Sequence, residues 1–208
     1  MSVADKQYGW TVLGTGLWRM WRGFLPFVVV ALVNALVQAS LLSLSPFWLA
    51  LGISAAVLLI SFALTAHVAY RSVSQRSGVG DLTEADLARF ALWVVGWTVV
   101  VSAGLAFYFW PGVILLALTA FIPVAAAAGA GNPLTANFAA IRERPFRWVL
   151  TVGVSLVVIL IVWLLSGLNA FFIRGWVASF TTWLLIGFVA AWLLTAWSVL
   201  FRSTAAGR

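Results

Sequence analysis

Residues 24–70 read FLPFVVVALVNALVQASLLSLSPFWLALGISAAVLLISFALTAHVAY, with no Asp, Glu, Lys or Arg anywhere in the stretch. A membrane helix needs about 20 apolar residues. The stretch therefore predicts two spans, 24–44 and 46–70. Only Ser45 and the start of the second span divide them, so they form a tight hairpin. Pro26 falls in the first turn, where a missing N–H costs little.

The same ruler applied outward predicts four more spans. The third covers 90–110, and Pro111 and Gly112 then mark a sharp turn. The fourth covers 113–130 and carries Pro123 inside it, and the last two cover 148–168 and 176–201. The expected fold is all-α: one transmembrane domain over 1–208, with six helices paired as three hairpins. The whole composition agrees. The 208 residues are 64% hydrophobic and 8% charged, whereas soluble domains carry about 25% charged residues. That excludes a water-soluble globule, and the high hydrophobicity excludes disorder. With no Cys and one His, neither a disulfide framework nor a metal site of several imidazoles is expected. Nor is a cofactor.

The charges orient the bundle. Lys6, Arg19 and Arg22 precede span one; Arg71, Arg76 and Arg89 separate spans two and three; Arg142, Arg144 and Arg147 separate four and five; Arg202 and Arg208 follow six. Only Arg174 falls on the other side. The positive-inside rule then puts both termini in the cytoplasm of a multi-pass cell-membrane protein, as in a bacterial inner membrane. The rule already accounts for a pI near 11.4, so no nucleic-acid partner is expected. Residues 1–8 lack a basic start followed by an apolar core, and no cleavable signal is expected.

The cytoplasmic segments read as amphipathic surface helices. Over 9–22, Trp10, Leu13, Leu17 and Trp21 recur at spacings of three or four, opposite Thr11, Thr15, Arg19 and Arg22. Thr83 is a candidate N-cap for a helix over 84–89. Asn132 can cap a third, over 133–144, with Leu134, Phe138 and Ile141 as its apolar stripe. A surface helix before each hairpin gives three copies of one unit.

The helix leading into span one, and the stretch FIPVAAAAGAGNPLTANFAAIRERPFRW over 121–148, resemble a broad bacterial group. It comprises the membrane domain attached to some glycerophosphodiester phosphodiesterases and its stand-alone six-helix relatives. Pro123, Ala136, Arg144 and Arg147 stand where that pattern would place them. The acidic residue common after the Pro, and a Ser in the surface helix, are missing here. The resemblance implies the six-helix fold and no particular activity.

Candidate functional residues are few. Asn34 and Gln38 lie one turn apart near mid-membrane, where amides need partners; they either bond helices together or line a path. Trp97 and Trp163 are deep enough to stack on a ligand. Arg19, Arg22, His67, Tyr70, Arg71, Arg142, Arg144 and Arg147 are candidates for binding lipid headgroups. Gly52 with Ala56, Ala125 with Gly129, and Gly131 fit the small-residue spacing of close helix packing. No predicted span holds a carboxylate, which disfavours ion-coupled carriage. No phosphate-binding loop, HExxH or GxSxG occurs. The expected role is a non-catalytic accessory subunit of a membrane complex, transport-associated, with lipid and a protein partner or second copy as its neighbours. Two alternatives are a transport component for a small molecule or vitamin, held between helices, and an anionic-lipid binding protein.

Overall fold

The structure, a computed structural model, describes residues 3–74, 84–107 and 109–205. Lys6 and Trp10 have only their backbone described, while Arg76, Thr83, Arg208 and the Gly-rich loop 77–81 lie outside the described residues. Every regular element among the described residues is helical. In order they are α1 (Val3–Arg22), α2 (Phe24–Ser40), a 3₁₀ turn (Leu41–Ser43), α3 (Phe47–Ser74), α4 (Glu84–Phe107), α5 (Phe109–Leu118), α6 (Ile122–Ala127), α7 (Pro133–Glu143), α8 (Pro145–Phe172) and α9 (Trp176–Ala205). Six segments are long and apolar enough to cross a membrane: Phe24–Ser43, Phe47–Ser74, Asp86–Phe107, Trp110–Ala127, Pro145–Phe172 and Trp176–Ser203. The chain is an all-α, multi-pass membrane protein.

The last helix organises the bundle. α9 packs on α1, α2, α3, α6, α7 and α8. Small residues let it approach: a Cβ added at Gly187 would meet the Ala31 Cβ of α2 at 2.9 Å, and one at Gly16 would meet the Ala196 backbone at 2.8 Å. In lipid, association rests on such close packing and on interhelical hydrogen bonds, because apolar side chains gain nothing by leaving lipid tails for one another. The Trp192 indole of α9 adds one such bond, donating to the Leu13 carbonyl at 3.1 Å.

Most cation-bearing segments meet at one end. The Val73 carbonyl, in the last turn of α3, accepts from Arg19 of α1 at 2.9 Å and also from Arg202 of α9. Arg144 reaches the Ser203 hydroxyl at 3.4 Å. Guanidinium groups thus satisfy a helix C-terminal carbonyl. At the other end, the Asn169 amide of α8 bonds the Ala178 carbonyl and the Thr181 and Thr182 hydroxyls of α9, at 3.0, 2.8 and 3.0 Å.

Span four differs from its expected form. In place of one helix over 113–130, α5 ends at Leu118 and α6 begins at Ile122, with Thr119, Ala120 and Phe121 between them. Pro123 sits in the first turn of α6, where its missing N–H is harmless. The break is completed by Asn137 of α7, whose side chain is fully buried. Its Oδ1 accepts from the Phe121 N–H at 3.0 Å, and its Nδ2 donates to the Leu118 carbonyl at 2.8 Å. All six residues of α6 are buried. The helix ends with Gly129 at φ +72°, the Ala130 N–H returning to the Ala125 carbonyl and the Gly129 N–H to that of Ala126. That is a Schellman ending. Gly129 is there for its backbone, and with Gly131 has no atom within 4 Å of an added Cβ. Both expectations of close packing are therefore corrected, while Ala125 is fully buried.

The surface helices pack on the bundle with only part of their apolar stripes, through Leu13 and Ile141. In α1 the buried residues are Val12, Leu13, Gly16 and Met20, while Leu17, Trp18 and Trp21 are exposed. In α7, Pro133, Asn137 and Ala140 are buried and Leu134 and Phe138 exposed. Asn132 caps α7 as expected, accepting from the Leu134 and Thr135 N–H groups at 3.1 and 3.2 Å.

Candidate functional site

The junction of α1, α2 and α3 forms a cleft at the cation-bearing end, with a volume of about 490 Å³. Local structure sets its walls. α1 ends at Arg22, Gly23 turns the chain, and α2 starts with Pro26 in its first turns. This brings Arg19 and Arg22 beside the last turns of α3, which supply His67 and Arg71. His67 and Arg71 are four residues apart and so share a helix face. Trp18, Thr15 and Ser72 complete the polar and aromatic lining. The Arg22 guanidinium lies 5.1 Å from the centre of the Trp18 ring, a cation–π contact that holds the side chain at the rim. The His67 ring rests 5.9 Å from that of Phe90, and its Nδ1 is buried with no hydrogen-bond partner. Among the described residues lining the cleft none is a carboxylate. Guanidinium groups, hydroxyls and an imidazole around one hollow suit a phosphate oxyanion.

The other basic candidates are not in this cleft. Arg142 flanks an open hollow on α7 with Leu134, Phe138 and Glu143. Arg144 joins α7 to α8 and reaches Ser203, and Arg147 lies in the first turn of α8. Tyr70 packs against the apolar core. The eight residues expected at headgroups thus divide. Arg19, Arg22, His67 and Arg71 form one site, and the other four are dispersed.

Asn34 and Gln38 are both buried. Gln38 is bonded across the first hairpin: its Oε1 accepts from the Ser54 hydroxyl at 2.7 Å and its Nε2 donates to the Ser54 carbonyl at 3.2 Å. It joins α2 to α3. The Asn34 Oδ1 is buried without a partner.

Trp97 and Trp163 do come together. They line one apolar cavity of about 350 Å³ with Phe62, Leu116, Ser166 and Trp197, among others. Trp97 is held from two sides, stacked on Phe62 at 5.5 Å between ring centres and donating to the Thr119 hydroxyl at 2.8 Å. Trp163 is 70% exposed and stands at the lipid-facing side.

Of the remaining packing candidates, Gly52 and Ala56 face outward, with nothing within 4 Å of a Cβ added at Gly52. Among the described residues Gly52 makes no close approach. The close approaches at Gly16 and Gly187 were not singled out by spacing, since their partners are single alanines on distant helices. Asn137 was also missed; a lone Asn in a polar-looking helix carries no mark of the broken backbone it serves.

Comparison with models of known protein families, with curated proteins and with solved structures finds no match for this chain.

Proposed function

We propose that this chain is a non-catalytic membrane protein that binds anionic, phosphate-bearing lipid in the cleft between α1, α2 and α3, with that end facing the cytoplasm. The observation that carries this reading is the convergence of Arg19, Arg22, His67 and Arg71 on one hollow at the end of three helices. The chemistry fits a lipid better than a free ion. Pro26 forms part of the wall, and Leu25 beside it is 73% exposed. A headgroup in the cleft would thus leave its acyl chains along an apolar helix face. The positive-inside rule supports the orientation.

The test is lipid retention in nanodiscs of defined composition. Arg22→Gln/Arg71→Gln is the informative variant, since Arg19 also bonds the Val73 carbonyl and is left in place. With about 1 kcal/mol per basic residue near an anionic surface, the double variant should bind phosphatidic acid about 30-fold more weakly. Equal binding of phosphatidic acid and phosphatidylcholine by the wild-type chain would sink the proposal. Displacement by millimolar inorganic phosphate alone would assign the cleft to a soluble ligand.

A second reading, an accessory subunit that docks another helix, is favoured by one observation. Gly52 and Ala56 form a small-residue face that nothing among the described residues covers. Crosslinking through Cys introduced at position 52 tests it, and absence of any crosslinked species in native membranes would remove its support.

A further inference from the structure

The apolar cavity around Trp97 and Trp163 has features beyond a packing defect. It lies where α3, α4, α5, α8 and α9 meet, far from the cleft in residue composition and sharing no lining residue with it. Its volume falls within the range of small-molecule pockets, about 300–1,000 Å³.

Two properties of the lining are informative. The first is that two of its tryptophans have their indole N–H groups occupied by protein. Trp97 donates to Thr119, and Trp197 donates to the Ser155 hydroxyl at 2.9 Å. These two rings are therefore held in place, and Phe62, stacked on Trp97, shares the lining with them. Such preorganised faces favour a flat ring.

The second is one unspent hydroxyl. Ser and Thr within membrane helices commonly bond the carbonyl four residues earlier. Thr65, Ser155, Thr195 and Ser198 all do so here. Ser166, Thr151 and Ser74 do not, each having a buried hydroxyl with no partner, and of these three Ser166 lines the cavity. An unpaired hydroxyl in an apolar site is costly, and a ligand acceptor would satisfy it.

We propose that this cavity binds a planar, membrane-soluble ring bearing a carbonyl oxygen, of the quinone class. Ser166 donates to that oxygen, the ring lies among Trp97, Trp197 and Phe62, and Trp163 flanks the way in from the lipid. A saturated acyl chain uses neither the ring faces nor the hydroxyl. The inference does not depend on the cleft or its ligand.

The test uses the full chain in phosphatidylcholine nanodiscs and a radiolabelled benzoquinone with a decyl tail. Uptake should saturate above the linear partitioning of empty nanodiscs. Ser166→Ala should weaken it about fivefold, the loss of one hydrogen bond. Trp163→Leu, at a largely exposed position, should weaken it by up to about tenfold. Arg22→Gln/Arg71→Gln should leave it unchanged. Excess decane should not displace the probe, a measurement on the unaltered chain that holds even if a variant fails to fold. Linear uptake, equal displacement by decane, or dependence on the Arg pair would each overturn the assignment.

Discussion

The second and fourth spans show two ways for a helix to live in a membrane. α3 runs unbroken over 28 residues, and none of its most apolar stretch is buried inside the protein. The fourth span is broken between α5 and α6, and 56% of its most apolar stretch is buried. The difference follows from the backbone. A lipid-exposed helix must satisfy every N–H and C=O within itself, so it stays regular. A helix enclosed by protein can break where a neighbour supplies the missing partners, and here Asn137 supplies two.

The largest expected effect comes from removing that supply. Asn137→Leu leaves the Phe121 N–H and the Leu118 carbonyl without their partner in a buried site. At about 1–3 kcal/mol for each, the loss should be about 2–6 kcal/mol, read as a lower SDS midpoint in mixed micelles. An unchanged midpoint would mean that the break is satisfied otherwise. Next comes the contrast between Ala125→Leu and Ala56→Leu. The first overfills the packed surroundings of α6 and should cost about 1–3 kcal/mol. The second adds a side chain on an open face and should stay within about 0.5 kcal/mol. Similar costs at both sites would erase the distinction between the spans. Of the destabilising changes the smallest belongs to Gln38→Leu, which removes two hydrogen bonds from α2 to Ser54 of α3. Interhelical hydrogen bonds in membranes average about 0.6 kcal/mol each, and the same unfolding assay should show a shift of about 1 kcal/mol for the two.

The same contrast explains what was legible in the sequence. Runs such as 24–70 announce helices because lipid demands an apolar surface, and the cations mark the ends. Which face of each helix turns inward is not announced in the same way. In water, apolar periodicity points to the core, but lipid is as apolar as the core. Leu17 and Trp21 of α1, and Leu134 and Phe138 of α7, face out, as the apolar side of a helix lying at the membrane surface does, while Leu13 and Ile141 of the same stripes pack inward. The inward faces carry Gly16 in one case and Asn137 with Ala140 in the other. The cleft was half legible. Arg19 and Arg22 share a helix end, and His67 and Arg71 share a helix face. That the two pairs meet depends on the turn at Gly23, whose added Cβ would lie 3.7 Å from the Ser72 Cβ. The Ser166 hydroxyl left no trace, because a Ser that lacks its usual carbonyl partner is spelled like one that has it.

The Asn137 clamp also bears on how the molecule is built. α5 has 10 residues and α6 has six, and each alone is shorter than the bilayer core requires. The side chain that completes the backbone between them lies 16 residues beyond Phe121. During synthesis the fourth span emerges before its clamp. Its final shape must wait until α7 has been made and has come to rest against it, so the form of this span depends on a helix too short to cross the membrane.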